Sequence, residues 1–172
     1  MNQGDSLVDY FSQAGDKLRV VSKKSLAEMI KQHELWLESE GSQGKIADLR
    51  RAYMRGVSLV GFNLERSNFE EANLYGAYLK KASLQGANLS GANLRGANLR
   101  WADLRGAVFR GTNFTRADLM QADLRGANLM GALHLECKQL SSAVVNRETQ
   151  FPSDIQIFWT EDDSFECKKN KK

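Results

Sequence analysis

Proline is almost missing from this chain: Pro152 stands alone among 172 residues. Everywhere else the backbone keeps its N–H as a possible ladder donor. Cysteine and histidine are nearly as scarce, with two of each. Cys137 and Cys167 lie thirty residues apart, with no CxxC and no His pair nearby. That spacing argues against a zinc site and against a disulfide framework, and predicts two reduced thiols. His33 and His134 sit toward opposite ends of the chain, no nucleophile has a base at short spacing, and no GxxxxGKS/T phosphate loop occurs. Catalytic, cofactor and metal sites are therefore not expected. No run approaches the ~18 apolar residues of a membrane span. The start, MNQGDSLVDYF, has no basic segment ahead of an apolar one. The expected compartment is the cytoplasm, with no membrane attachment. A formal charge of +3 is too small to imply nucleic acid or an anionic surface by itself. With 42% hydrophobic residues the chain is not wholly disordered.

What is abundant is a period of five. A large apolar residue recurs at Leu49, Met54, Leu59, Leu64 and Phe69, then at every fifth position to Leu129, giving seventeen centres in unbroken register. Two positions before each centre the residue is small, except at Val57 and Phe62. Five matches neither the helical period of 3.6 nor the strand period of 2. A helix would also hold ten glycines, each costing about 1 kcal/mol relative to alanine. The period suits a coil with one short extended side and one corner per unit. The centre and the small residue point inward and the other three positions outward. Ten of the 14 glycines lie two after a centre, where a type II turn needs φ > 0.

The runs GANLSGANLRGANLRWADLRG and RADLMQADLRGANL resemble the pentapeptide-repeat family, whose unit reads A(D/N)LXX. The resemblance covers about residues 46–133. It implies an all-β solenoid, a right-handed quadrilateral β-helix with four units per coil, and a rod of roughly 20 Å at the ~4.8 Å strand spacing. Some members of the family resemble duplex DNA in width and charge and engage DNA gyrase, which requires an acidic rod. Here residues 46–133 carry 12 Lys and Arg against 7 Asp and Glu. DNA mimicry is disfavoured on that count. Some members also pair through a terminal coil, which leaves a homodimer open.

With four units per coil, residues twenty apart share a side. The position before the centre is Asn or Asp in 12 units. Asp103 and Asp123 belong to that ladder, so backbone hydrogen bonding is expected of them, not acid–base chemistry. Arg95, Arg100, Arg105 and Arg110 fall on four different sides and form a ring. One side combines Tyr78, Lys80, Lys81, Arg100, Trp101, Met120 and Gln121. Trp101 there replaces a corner glycine, and aromatic residues with Arg are the composition of binding hot spots. These seven residues are the candidate face for a protein partner. The competing readings are direct nucleic-acid binding through Lys80, Lys81, Arg100 and Trp101, or Trp101 packed beneath a terminal segment.

An open coil needs both ends closed. Residues 1–45 are read as an N-terminal helical cap region. Ser25-Leu26-Ala27-Glu28 is the pattern of a capping box. Leu26, Met29, Ile30, His33, Trp36 and Leu37 form one stripe of a helix over about 26–39, with His33 packed and not a ligand. Residues 6–21 fit a shorter helix or a strand. The β-helix spans 46–133. Its register fails at His134, and residues 134–160 form a C-terminal cap in which Leu133, Leu135, Leu140, Val144 and Val145 cover the last coil. Ile155, Ile157, Phe158 and Trp159 add an apolar patch, and the charged tail 161–172 is expected to be disordered.

Overall fold

The computed structural model describes residues 18–170, so most of the segment 6–21 lies outside the described residues. Each repeat unit closes with one turn. The amide three residues after the centre donates to the carbonyl of the centre, as Ala77 N does to Leu74 O at 3.0 Å. The residue two after the centre has positive φ in all seventeen units, between 54° at Arg51 and 74° at Gly61. The residue before it does not, which is the type II pattern. Ten of these corners are glycine; Arg51, Arg66, Glu71, Lys81, Trp101, Arg116 and Gln121 take the same left-handed conformation without that freedom.

Four such turns bring the chain back over itself. Parallel bridges join residues twenty apart, from Asp48 with Asn68 to Asn113 with Leu133. The result is a four-sided β-solenoid. All seventeen centres are buried, as are the small residues beside them, apart from the partly buried Val57 and Phe62. Ser67 and Thr112 bury hydroxyls at those inward positions and donate to Leu64 O at 2.5 Å and Leu89 O at 2.6 Å. The twelve outward Asn and Asp residues all accept with Oδ1 from the backbone N–H two residues on, at 2.9 to 3.2 Å. Asp103 and Asp123 do so with the rest.

At the N-terminal end, β1 (Arg19–Val20) pairs in parallel with β2 (Ala52–Tyr53). Helix α1 (Lys23–Glu38) begins three residues before the expected start. Its N-cap is Ser22, which has extended backbone and accepts from Ser25 N at 3.1 Å. Ser25 thus lies inside the first turn and caps nothing. Ile30 and His33 are buried against the solenoid, and His33 Nδ1 accepts from Ala47 N at 3.3 Å. Val57, Phe62, Met54, Leu26 and Ile30 line a groove of about 670 Å³ between α1 and the first coil. The two oversized inward residues stand at the wall of that groove and are only partly buried.

At the other end the register breaks as expected, but the solenoid does not stop there. His134 turns outward with φ 57° and Leu135 takes the core position in its place. After α2 (Cys137–Ser141), Val144 bridges to Asp123 and Gln150 to Asn128. Ala143-Val144-Val145 and Thr149-Gln150-Phe151 repeat the small–outward–large order of a unit, with Ala143 and Val145 packed on the core. Val144 and Leu133 occupy outward ladder positions and are exposed, so they do not cover the coil. The five-residue period hid these rungs because the helix inserted before them shifts the spacing. The covering is done by Leu140, which is fully buried, and by Gln139, whose Nε2 donates to Phe114 O and Ala117 O, each at 2.9 Å.

Two further expectations fail in this region. The tail is not disordered over its described part: β3 (Ile155–Trp159) pairs antiparallel with β4 (Phe165–Lys169) along its whole length. Phe165, Cys167 and Lys169 alternate inward with exposed Glu166 and Lys168, the period of a half-buried strand. Nor are the cysteines free thiols. The hairpin lays β4 beside α2 and joins Cys167 to Cys137 in a disulfide, with Cα atoms 5.5 Å apart. Lys169 Nζ adds bonds to Glu136 Oε1 at 2.7 Å and Leu135 O at 2.6 Å. The pairing has no local motif because a strand and a helix thirty residues apart create it.

Replacing both cysteines by serine is expected to cost the hairpin about 3 kcal/mol. Hydrogen exchange checks this: protection falls across residues 155–169 while amides of the central rungs keep theirs. A second expectation concerns pH. Burial holds the His33 imidazole below its ordinary pKa, outweighing the opposing Glu34 and Glu65 charges. The unfolded imidazole takes up a proton near ~6.5 and the folded one only at lower pH. The contribution is complete above that value and is lost as pH falls through the window below it. Urea denaturation followed by tryptophan fluorescence should show stability falling as pH drops below about 6.5, a loss that a His33→Gln variant lacks.

Candidate functional site

In chain order the four sides begin with the outward ladder residues Asp48, Tyr53, Ser58 and Asn63. The third side carries Ser58, Tyr78, Asn98 and Asp118, bridged in that order. Its following corner carries Lys80 and Lys81, then Arg100 and Trp101, then Met120 and Gln121. Backbone bonds stack these corners directly, with Lys81 N donating to Arg100 O at 3.0 Å and Trp101 N to Met120 O at 3.1 Å. All seven residues expected to form one face are therefore neighbours. Tyr78 is 54% exposed and Trp101 43%, and Met120 is also exposed, so no terminal segment among the described residues buries Trp101.

Electrostatics organise the face. Lys80 Nζ lies 4.9 Å and Arg100 Cζ 4.8 Å from the centre of the Trp101 ring. Such contacts are worth about 0.5–1 kcal/mol each at exposed sites. Arg100 is further fixed by Asp118 Oδ2 at 3.3 Å. Trp101 itself sits at φ 57°, a conformation that disfavours any residue with a Cβ by about 1–2 kcal/mol. Glycine fills most of the equivalent corners. A large exposed side chain held where the fold prefers glycine has no packing role to account for it.

Val60, an outward residue of the same side in the repeat, is exposed at the start of the same corner. Residue-by-residue reading missed one neighbour. On the corner before the third side, Tyr75 has Arg55 at 4.7 Å and Arg95 at 5.9 Å from its ring centre. The signal was present in the twenty-residue spacing of positions 55, 75 and 95. On the adjoining side, hydrogen bonds from Arg105 hold the Asp103 carboxyl below its usual range. Burial works against ionisation of Asp123, but the Arg125 hydrogen bonds outweigh it. Both stay ionised and paired, which suits structure and not proton transfer. Among the described residues no group of His, Cys, Asp or Glu could hold a metal ion, and no helix is long and apolar enough to cross a membrane. What the third side can offer is contact: a flat, rigid surface of aromatic rings, cations and two apolar side chains.

Residues 47–86, 72–111 and 97–133 each match the family described as pentapeptide repeats (8 copies). No curated protein is detectably similar in sequence. Among solved structures, the chain is similar to a pentapeptide repeat protein of the cyanobacterium Cyanothece 51142, with 30% identity and a TM-score of 0.51 over 59% of this chain and 68% of that one. A pentapeptide repeat protein of Nostoc PCC 7120 is 26% identical with a TM-score of 0.42, over 80% of this chain and 90% of that one. The plasmid-mediated fluoroquinolone resistance protein QnrB1 is 15% identical with a TM-score of 0.38, over 64% of this chain and 67% of that one.

The strain at position 101 can be isolated by comparing two truncations. Trp101→Gly and Trp101→Ala both remove the ring and its cation contacts, but only alanine keeps the Cβ. Chemical denaturation should find the glycine variant more stable by about 1 kcal/mol. Equal stabilities would show that the corner is not strained.

Proposed function

Since the chain belongs to the pentapeptide-repeat family, we propose that it is a non-catalytic scaffold presenting the third side of its solenoid to a protein partner. The observation that carries this is Trp101, an exposed aromatic held at a left-handed corner between Lys80 and Arg100. Tyr78, Lys81, Met120 and Gln121 complete the surface around it. Repeat solenoids bind through such extended rigid faces, and aromatic and Arg anchors dominate the binding energy of protein interfaces. In this reading residues 46–133 form a right-handed β-helix that presents the face. Helix α1, from the region 1–45, caps the first coil, and residues 134–160 close the other end together with the tail strand.

The alternative is a nucleic-acid-binding or DNA-mimicking, gyrase-interacting protein. Mimicry of DNA needs an acidic rod, and this rod is net basic. The expectation of a cytoplasmic site of action rested on the missing signal-like start and membrane-span run, with reduced cysteines expected alongside it. The Cys137–Cys167 bond instead favours an oxidising compartment.

A photo-crosslinking residue placed at Tyr78 tests the reading, with Val108 as the matched ladder position on the opposite side of the coil. A source lysate should yield a crosslinked protein from position 78 and none from 108, and Trp101→Ala should abolish it. The same product from both positions, or one indifferent to Trp101, would remove the third side as the interface.

A further inference from the structure

Charge is distributed unevenly around the rod. The third side and its two corners hold Arg55, Arg95, Arg116, Lys80, Lys81 and Arg100 against a single acid, Asp118. The rest of the repeat holds six cations and six acids. The whole surplus of residues 46–133 is therefore on one side. Ion pairing follows the same division. Elsewhere Arg50 pairs with Asp48, Arg51 with Glu71, Arg105 with Asp103 and Arg125 with Asp123. On the third side only Arg100 is paired, and the other five cations have no ion pair among the described residues. Lys80, Arg55 and Arg95 lie over aromatic rings instead.

Resting on the scaffold reading, we infer that the partner engages this side through an acidic protein segment carrying an apolar anchor. A concentrated positive surface attracts acidic partners and sets their orientation. The anchor would meet Val60, Trp101 and Met120, which run along one corner and are exposed. The surface is about four coils, or ~20 Å, tall, the length of a helix of about 13 residues at 1.5 Å each. It thus has the length to seat a single segment.

Three features favour protein over nucleic acid. Tyr75 and Trp101, two of the rings that bases would stack on, already have cations over them. Asp118 lies in the side's central column, where it would repel a phosphate backbone. The ladder amides, such as Tyr78 N to Val57 O and Leu79 N to Asn98 O, are committed between coils and leave no backbone nest for phosphate.

The test uses the full chain and two variants with the same change of net charge at matched repeat positions. Lys81→Glu with Arg100→Glu alters the third side; Arg66→Glu with Arg110→Glu alters two others. Glutamate is accepted at the left-handed corner, as Glu71 with φ 56° shows, and circular dichroism verifies folding. The probe is a labelled peptide of alternating acidic residues and phenylalanine, followed by fluorescence anisotropy at low and physiological ionic strength. Wild type should bind it, the first variant about tenfold more weakly and the second within about twofold. Equal weakening in both variants would reduce the effect to net charge and overturn the inference. So would tighter binding of an oligothymidylate of equal charge, or no binding of the peptide by wild type. A partner crosslinked from Tyr78 whose contacting segment is not acidic would defeat this inference and leave the scaffold reading standing.

Discussion

The parallel backbone ladder between residues twenty apart is what the rest of this molecule depends on. Every centre except Leu119 donates its amide to the coil beyond it, as Leu84 does to Asp103 O at 2.7 Å, and outward residues donate to the coil before, as Ser83 does to Phe62 O at 2.9 Å. Those bonds consume the polar backbone at every rung, so the interior can be closed with apolar side chains alone. They also set the coil at a constant length, and a constant length turns sequence spacing into spatial columns. Inward columns must then be one small and one large residue per side, because a narrow close-packed interior admits nothing else. Outward columns are free of that demand, which is why surface chemistry can differ between sides while the core stays uniform.

Function in this architecture is a matter of which outward column departs from the pattern. Most corner positions are glycine, and most ladder positions are Asn or Asp tied to the backbone. The third side departs at both, with Tyr78 in the ladder and Lys81, Trp101 and Gln121 at the corner. On the sides that carry Asp48 and Asp103, Arg50, Arg51, Arg105 and Arg125 are each held in an ion pair. The third leaves its cations facing aromatic rings and solvent. A rigid scaffold with one such side gains orientation cheaply, since its own side chains are already held in place by neighbours twenty residues away.

The repeat was legible because its signals are local and redundant. A centre every five residues, a small residue two before it, and a turn residue two after it each point to the same coil. The Asn and Asp residues were readable for a similar reason, since their bonds reach only two residues along the chain. The ends were harder. Ser25 satisfied a capping pattern, yet Ser22 caps the helix: both serines precede the same apolar stripe, and it is Ser22 that has the extended backbone and accepts from Ser25 N. The tail read as charged and unstructured, since its strand alternates Phe165, Cys167 and Lys169 with exposed charges and lacks a continuous apolar run.

Sequence alone determined the coil, its core and the membership of each side, because those follow from a period and from contacts that recur with it. Tertiary structure alone decided three things. The rungs at Val144 and Gln150 rejoin the ladder only after a helix has absorbed the broken register. The Cys137–Cys167 bond exists only because a hairpin folds back on that helix. The excess charge belongs to one side only once ring contacts and ion pairs show which cations are neutralised by neighbours. Each depends on distances between residues that no repeat relates, and a periodic pattern holds no information about those.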